Sequence, residues 1–145
     1  MENSVIIKSQ LVEAQVTGTP STGRRYNFLE VPNISRNNIV CYAIEAFGVD
    51  QLTFSPSGKE VVGGAAASMV PTTGIVVTLV DNKKQEFTYQ IPYSAMIRQN
   101  NGGFLIYLAP RLLNLTDCYI QITNVTDIAT DEVAIFNLYY YEKDI

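Results

Sequence analysis

The feature that most constrains this chain is alternation with a period of two residues, cut at short intervals by turn-forming residues. In "KKQEFTYQIP" Phe87, Tyr89 and Ile91 fall on one side of an extended chain, with Glu86, Thr88 and Gln90 on the other. "DCYIQITN" repeats the pattern, Cys118, Ile120 and Ile122 opposing Tyr119, Gln121 and Thr123. Successive side chains of a strand point to opposite faces, so such runs bury one face and wet the other. "GIVVTLVD" and "GFLIYLAP" are apolar on both faces and predict strands enclosed on both sides.

The predicted strands are Val5–Val16, Arg25–Val31, Ile39–Phe47, Gln51–Phe54, Gly74–Val80, Gln85–Ile91, Phe104–Leu108, Cys118–Thr123 and Val133–Tyr141, with a short pairing strand at Lys59–Val62. Asp81-Asn82-Lys83-Lys84 predicts a tight hairpin turn, and Asn100-Asn101-Gly102-Gly103 a second turn from residues that tolerate positive φ. Helix is scarce. "PYSAMIRQ" supports a turn or two starting near Pro92 or Ser94, and "APRLLNL" places Pro110 where a first helical turn accepts it. About nine short strands at this spacing predict an all-β fold, a two-sheet antiparallel sandwich or a barrel. No repeat or linker interrupts the chain, so residues 1–145 are expected to form one domain, with 1–24 as an N-terminal strand or arm freed by "TGTPSTG". Gly58–Gly74 reads as a long loop of small residues that carries Met69 and Val70.

Charged residues make up only 17% of the chain, below the ~25% usual in globular domains, while apolar residues reach 47%. That shortage predicts some surface that does not face solvent. The net charge is −4, and Arg24-Arg25 and Lys83-Lys84 are the adjacent basic pairs. Without a basic stripe, strong direct binding of DNA or RNA is not expected. "MENSVIIKSQLVEAQV" lacks a secretory pattern, and no apolar run approaches the about 20 residues of a membrane span. Cys41 and Cys118 each sit in an apolar strand-like run, which favours reduced core thiols over a disulfide. Sequons at Asn33, Asn114 and Asn124 carry no weight in a chain so rich in Asn, Ser and Thr.

The chemistry of catalysis is missing. Histidine is absent, which removes Ser-His-Asp and Cys-His catalysis and every histidine metal site. Two isolated cysteines do not build a structural zinc site. "SPSGKE" lacks the first glycine of a phosphate loop and has Glu60 where Ser or Thr is needed. Glu45, the one acid inside an otherwise apolar strand-like run, has no evident carboxylate partner, so it is expected at a strand end facing water or an arginine. Asp127, Asp131 and Glu132 match no calcium-loop spacing and read as a solvated acidic connection. No catalytic residue, cofactor or metal is expected, and the chain is not expected to be an enzyme.

The tyrosines at the carboxyl end ask for more. In "VAIFNLYYYEKDI" alternation puts Ala134, Phe136, Leu138 and Tyr140 on one face, and Val133, Ile135, Asn137, Tyr139 and Tyr141 on the other. Left bare, Tyr139 and Tyr141 alone present roughly 300–500 Å² of surface. Adding Val133 and Ile135 exceeds what a soluble monomer tolerates as one patch. The cover is either the N-terminal arm of the same chain or a neighbouring protomer. Tyr139, Tyr141, Val133 and Ile135, with Val70 and Met69 from the long loop, are the candidate protein-interface residues.

From about Asn33 to Tyr141, "NNIVCYAIEAF", "LTFSPSGKEV", "GIVVTLVDNKKQEFTYQIPYSAMI", "LLNLTDCYIQITN" and the aromatic final strand resemble the small single jelly-roll structural proteins of icosahedral bacteriophages. The resemblance implies a jelly-roll-like antiparallel β-sandwich of eight to nine strands in all, assembling into rings, with a pentamer favoured, alongside other capsid proteins. The expected function is that of a virion component, a capsid vertex (penton) or minor capsid protein, made in the host cytoplasm and located in the capsid. No catalytic residue carries over. An immunoglobulin-like sandwich is the rival fold, but the core Trp is missing and Thr116 stands where its tyrosine belongs. The rival function is a carbohydrate- or receptor-binding module such as a fibre head.

Overall fold

The computed structural model describes residues 8–31, 39–47, 69–71, 73–86, 88, 90–97 and 106–142. The chain is mostly β, in eight strands: β1 (Lys8–Gln15), β2 (Arg25–Asn27), β3 (Ile39–Ala46), β4 (Ile75–Thr78), β5 (Ile91–Pro92), β6 (Ile106–Leu112), β7 (Tyr119–Ile122) and β8 (Val133–Glu142). They form two four-stranded sheets, ordered β1-β8-β3-β6 and β2-β7-β4-β5, and every neighbouring pair is antiparallel. The first strand therefore pairs with the last, the second with the seventh, the third with the sixth and the fourth with the fifth.

One apolar cluster lies between the sheets. Val12, Ala14, Ile44, Phe136 and Leu138 face it from the first sheet, and Tyr26, Ile75, Val77, Ile120 and Ile122 from the second. Phe136 is central, stacked on Phe28 at 5.0 Å between centroids and met edge-on by Tyr93 at 5.4 Å. Tyr93 sits in a short 3₁₀ turn, Tyr93–Met96, and its hydroxyl donates to the Phe47 carbonyl at 2.7 Å. Cys41 and Cys118 are free thiols in this core, and burial pushes each up to about 12, which keeps them protonated and inert.

Several local features depart from the sequence reading. Pro110 belongs to β6 rather than to a helical turn. It is tolerated because β6 is an edge strand and the β3–β6 register shifts beside it, between Cys41 and Ala43. The same shift makes Tyr42 an extra residue in β3, so Cys41 and Ile44 both reach the core. Within the strand expected over Gln85–Ile91, Glu86 bridges Val80 and Ile91 opens β5, and side chains stand in for backbone acceptors at the described positions between them: the Leu79 N–H donates to Thr88 Oγ1 and the Gln90 N–H to Thr78 Oγ1. β2 ends early because Phe28 crosses between sheets, donating its N–H to Cys118 while bridging Ala14. The expected strands Gln51–Phe54 and Lys59–Val62 and the Asn100–Gly103 turn lie outside the described residues.

The hairpin turn at Asp81–Lys84 forms as its composition predicts. The Lys84 N–H bonds the Asp81 carbonyl, Lys84 takes φ 62°, and the Asp81 carboxylate accepts from the N–H groups of Lys83 and Gln85. Gly74 is the other constrained turn residue. Its φ is +88°, and a Cβ there would lie 2.5 Å from the Asn124 carbonyl oxygen. Gly74→Ala is expected to cost about 1–3 kcal/mol through backbone strain alone, with the clash adding to it. Urea unfolding measures this, and an unchanged midpoint would refute the tight approach.

Candidate functional site

β8 is the second strand of the first sheet, with β1 on one side and β3 on the other. Its inner residues enter the shared core, which leaves Val133, Ile135, Asn137, Tyr139 and Tyr141 on the outer face. Cross-strand register sets Glu13 and Leu11 beside Ile135 and Asn137, and Glu45 and Ala43 beside Asn137 and Tyr139.

The six residues expected at an interface divide into two groups. Val133 and Ile135 are fully buried, in a small cluster with Phe47 and Met69 against which Leu11 packs. Met69 bridges Val133, and the Val70 N–H donates to the Val133 carbonyl at 3.0 Å. Val70 turns into the inter-sheet core. The structure thus brings Met69, Val70, Val133 and Ile135 together, but under the cover of their own chain. Of the two covers expected for this face, the one found at this end is intramolecular: Phe47 and Met69 pack on Val133 and Ile135, with Leu11 of β1 against them. Tyr139 and Tyr141 remain half-buried.

Between these groups lies a polar site. Glu45 is only 2% exposed, and its Oε1 accepts from the Tyr139 hydroxyl at 2.7 Å and from Asn137 Nδ2 at 3.3 Å. Of the two settings expected for it, water and an arginine, the first is overturned by this burial. Alternation placed it on the outer face correctly, but pattern alone does not say what covers a face. Tyr139 therefore has two roles, an accessible ring and a hydroxyl holding a buried carboxylate. On the far side of β8, Glu13 is also 2% exposed, and neither of its carboxylate oxygens has a partner among the described residues. Such a group costs stability unless something pairs with it.

The acidic connection before β8 is less solvated than expected. Glu132 is buried and accepts the Ala129 N–H, and burial raises its carboxyl above the ordinary glutamate range. Asp131 accepts from Gln15, while Asp127 is exposed with φ 67°. No group of potential metal ligands is clustered among the described residues, and no helix among them is long and apolar enough to cross a membrane.

A second surface, singled out in the sequence only as a basic pair, lies on the outer face of the other sheet, where Arg25 is placed over the Tyr119 ring at 4.5 Å. Arg24 points the other way, lying 5.4 Å from the ring of Tyr26, a residue of the inter-sheet core. No known protein family, curated protein or solved structure matches the chain.

Glu13→Leu replaces two buried carboxyl oxygens that have no partner among the described residues, and is expected to raise stability by about 1–3 kcal/mol. Urea denaturation tests it, and a loss of stability would rule out the uncompensated carboxylate. For Glu132, a raised folded-state value means a stabilising contribution present below the ordinary glutamate range and lost as pH rises through the raised value. Glu132→Gln should flatten that part of the pH–stability profile, whereas an unaltered slope counts against the buried acid.

Proposed function

We propose that the chain is a structural component of an icosahedral bacteriophage virion, a capsid vertex or minor capsid protein that acts by self-assembly rather than catalysis. The observation that carries this reading is the set of strand pairs, first with eighth, second with seventh, third with sixth and fourth with fifth. A long hairpin doubled at β4–β5 and rolled into two sheets has these pairs, and that is the plan of a jelly-roll sandwich, an architecture of viral capsid domains and of lectins. The resemblance of the sequence to small phage jelly rolls favours the capsid over the lectin.

The surface is consistent with assembly through side chains rather than through a cleft. Tyr139 and Tyr141 keep part of their rings accessible on the outer face of β8, and half-exposed tyrosine is a favoured interface residue. The proposed partners are further copies of the chain, as a pentamer, and a major capsid protein.

Size-exclusion chromatography with light scattering, paired with a glycan array, tests the reading. A pentamer that binds no sugar supports it. A monomer or trimer that binds glycans would move the assignment to a carbohydrate-binding module. Tyr141→Ala is the clean surface probe, because Tyr139→Ala would also strip a hydrogen bond from buried Glu45. Tyr141→Ala should weaken assembly about tenfold or more while shifting unfolding by under about 1 kcal/mol. Full assembly of that variant would remove the tyrosine face from the proposal.

A further inference from the structure

The outer face of the second sheet carries a charge that the lone chain leaves unanswered. Arg25 opposes Gln121 across β2 and β7, and Asn27 opposes Tyr119, so these four residues form one block. Arg24 is already engaged, donating to the Thr19 carbonyl at 2.8 Å. Arg25 is exposed, lies over the Tyr119 ring and has no carboxylate partner among the described residues, where the ion pair is Lys8–Glu142. A guanidinium held against an aromatic ring is partly immobilised yet keeps N–H donors for a carboxylate. Asn27 Nδ2 and Gln121 Nε2 donate to the Thr116 and Gly23 carbonyls, but the Tyr119 hydroxyl and Gln121 Oε1 are buried without a hydrogen bond among the described residues.

The chain has more acids than bases, 14 against 10, and its pairing pattern shows which acids lie at the same end of the sheets as Arg25. The Gly23 N–H bonds the Ile122 carbonyl and the Asp131 N–H bonds the Val16 carbonyl, so the β1–β2 and β7–β8 connections share one end of the molecule with Arg25. Among the described acids at that end, Glu132 is buried against Ala129 and Asp131 accepts from Gln15. Asp127 is exposed and engaged by neither. Glu86 lies in the hairpin at the other end, and Glu13 is too enclosed to be reached. Neighbours in a closed ring meet through two different patches, and in a ring whose axis runs along the strands those patches lie at the same end of each copy.

We propose that Arg25, held over Tyr119, docks the Asp127 carboxylate of a second copy of this chain, so that the outer face of one copy's second sheet meets the β7–β8 loop of the next. The inference rests on the assembly reading and names one of its contacts. A charge pair desolvated at such a contact has more effect than an exposed one.

The test is a charge swap in the full chain, followed by sedimentation velocity at low and high salt. Arg25→Glu and Asp127→Arg should each weaken association by about tenfold or more, and the two together should restore it to within about threefold of the parent. Thermal unfolding of each variant separates loss of contact from loss of fold, and rescue by the double variant excludes a merely damaged surface. Association unchanged by either single reversal overturns the pairing while leaving the assembly reading intact. Loss without rescue also overturns it, since the acid is then not Asp127. A parent protein that stays monomeric at every concentration overturns both.

Discussion

The hydrogen-bonded ladders on both sides of β8 are the constraint on which the rest depends. Register runs from Lys8–Tyr140 to Gln15–Val133 on one flank and from Ile39–Glu142 to Ala46–Phe136 on the other. With both edges paired, β8 has only its faces left to bury. The inner face fixes Phe136 between Phe28 and Tyr93, which ties the two sheets and the 3₁₀ turn into one core. The outer face is then committed to whatever chain emerges next to it. Phe47 and Met69 supply that cover at the start of the strand and leave the tyrosines at its end. Slipping the register by one residue would exchange these faces, putting Asn137 into the core and Phe136 outside.

Alternation made most of this legible. Cys118, Ile120 and Ile122 do face the core, and the strands at Ile39, Gly74 and Val133 begin within a residue of their predicted starts. Failures occur where alternation is silent. The extra residue at Tyr42 reverses which face the following residues occupy, and no composition signal marks it. Pro110 carries the same fixed φ in an edge strand as in a first helical turn, so only the neighbours decide. Glu45 and Glu13 were assignable to a face but not to a depth, because their cover comes from residues distant in sequence. The basic pair Arg24-Arg25 was visible, but not that one arginine would be tied to a carbonyl and the other left over a tyrosine.

Buried polar atoms without partners offer a way to weigh the proposed role. Five are found among the described residues: both oxygens of Glu13, the hydroxyls of Tyr26 and Tyr119, and Gln121 Oε1. Two of the five, on Tyr119 and Gln121, lie on the outer face of β7 beside Arg25, whereas Tyr26 opposes Ile120 on the inner face. Each such atom costs about 1–3 kcal/mol in a finished structure, so a domain whose final state is the single chain has reason to pair them. A domain that reaches its final state by meeting copies of itself has less, because its stability is inseparable from that of the assembly. The two unpaired groups beside Arg25 therefore argue in the same direction as the low charge content of the chain. Both are awkward for a solitary molecule and ordinary for a rigid two-sheet unit whose sides become interior surface when neighbours close around it.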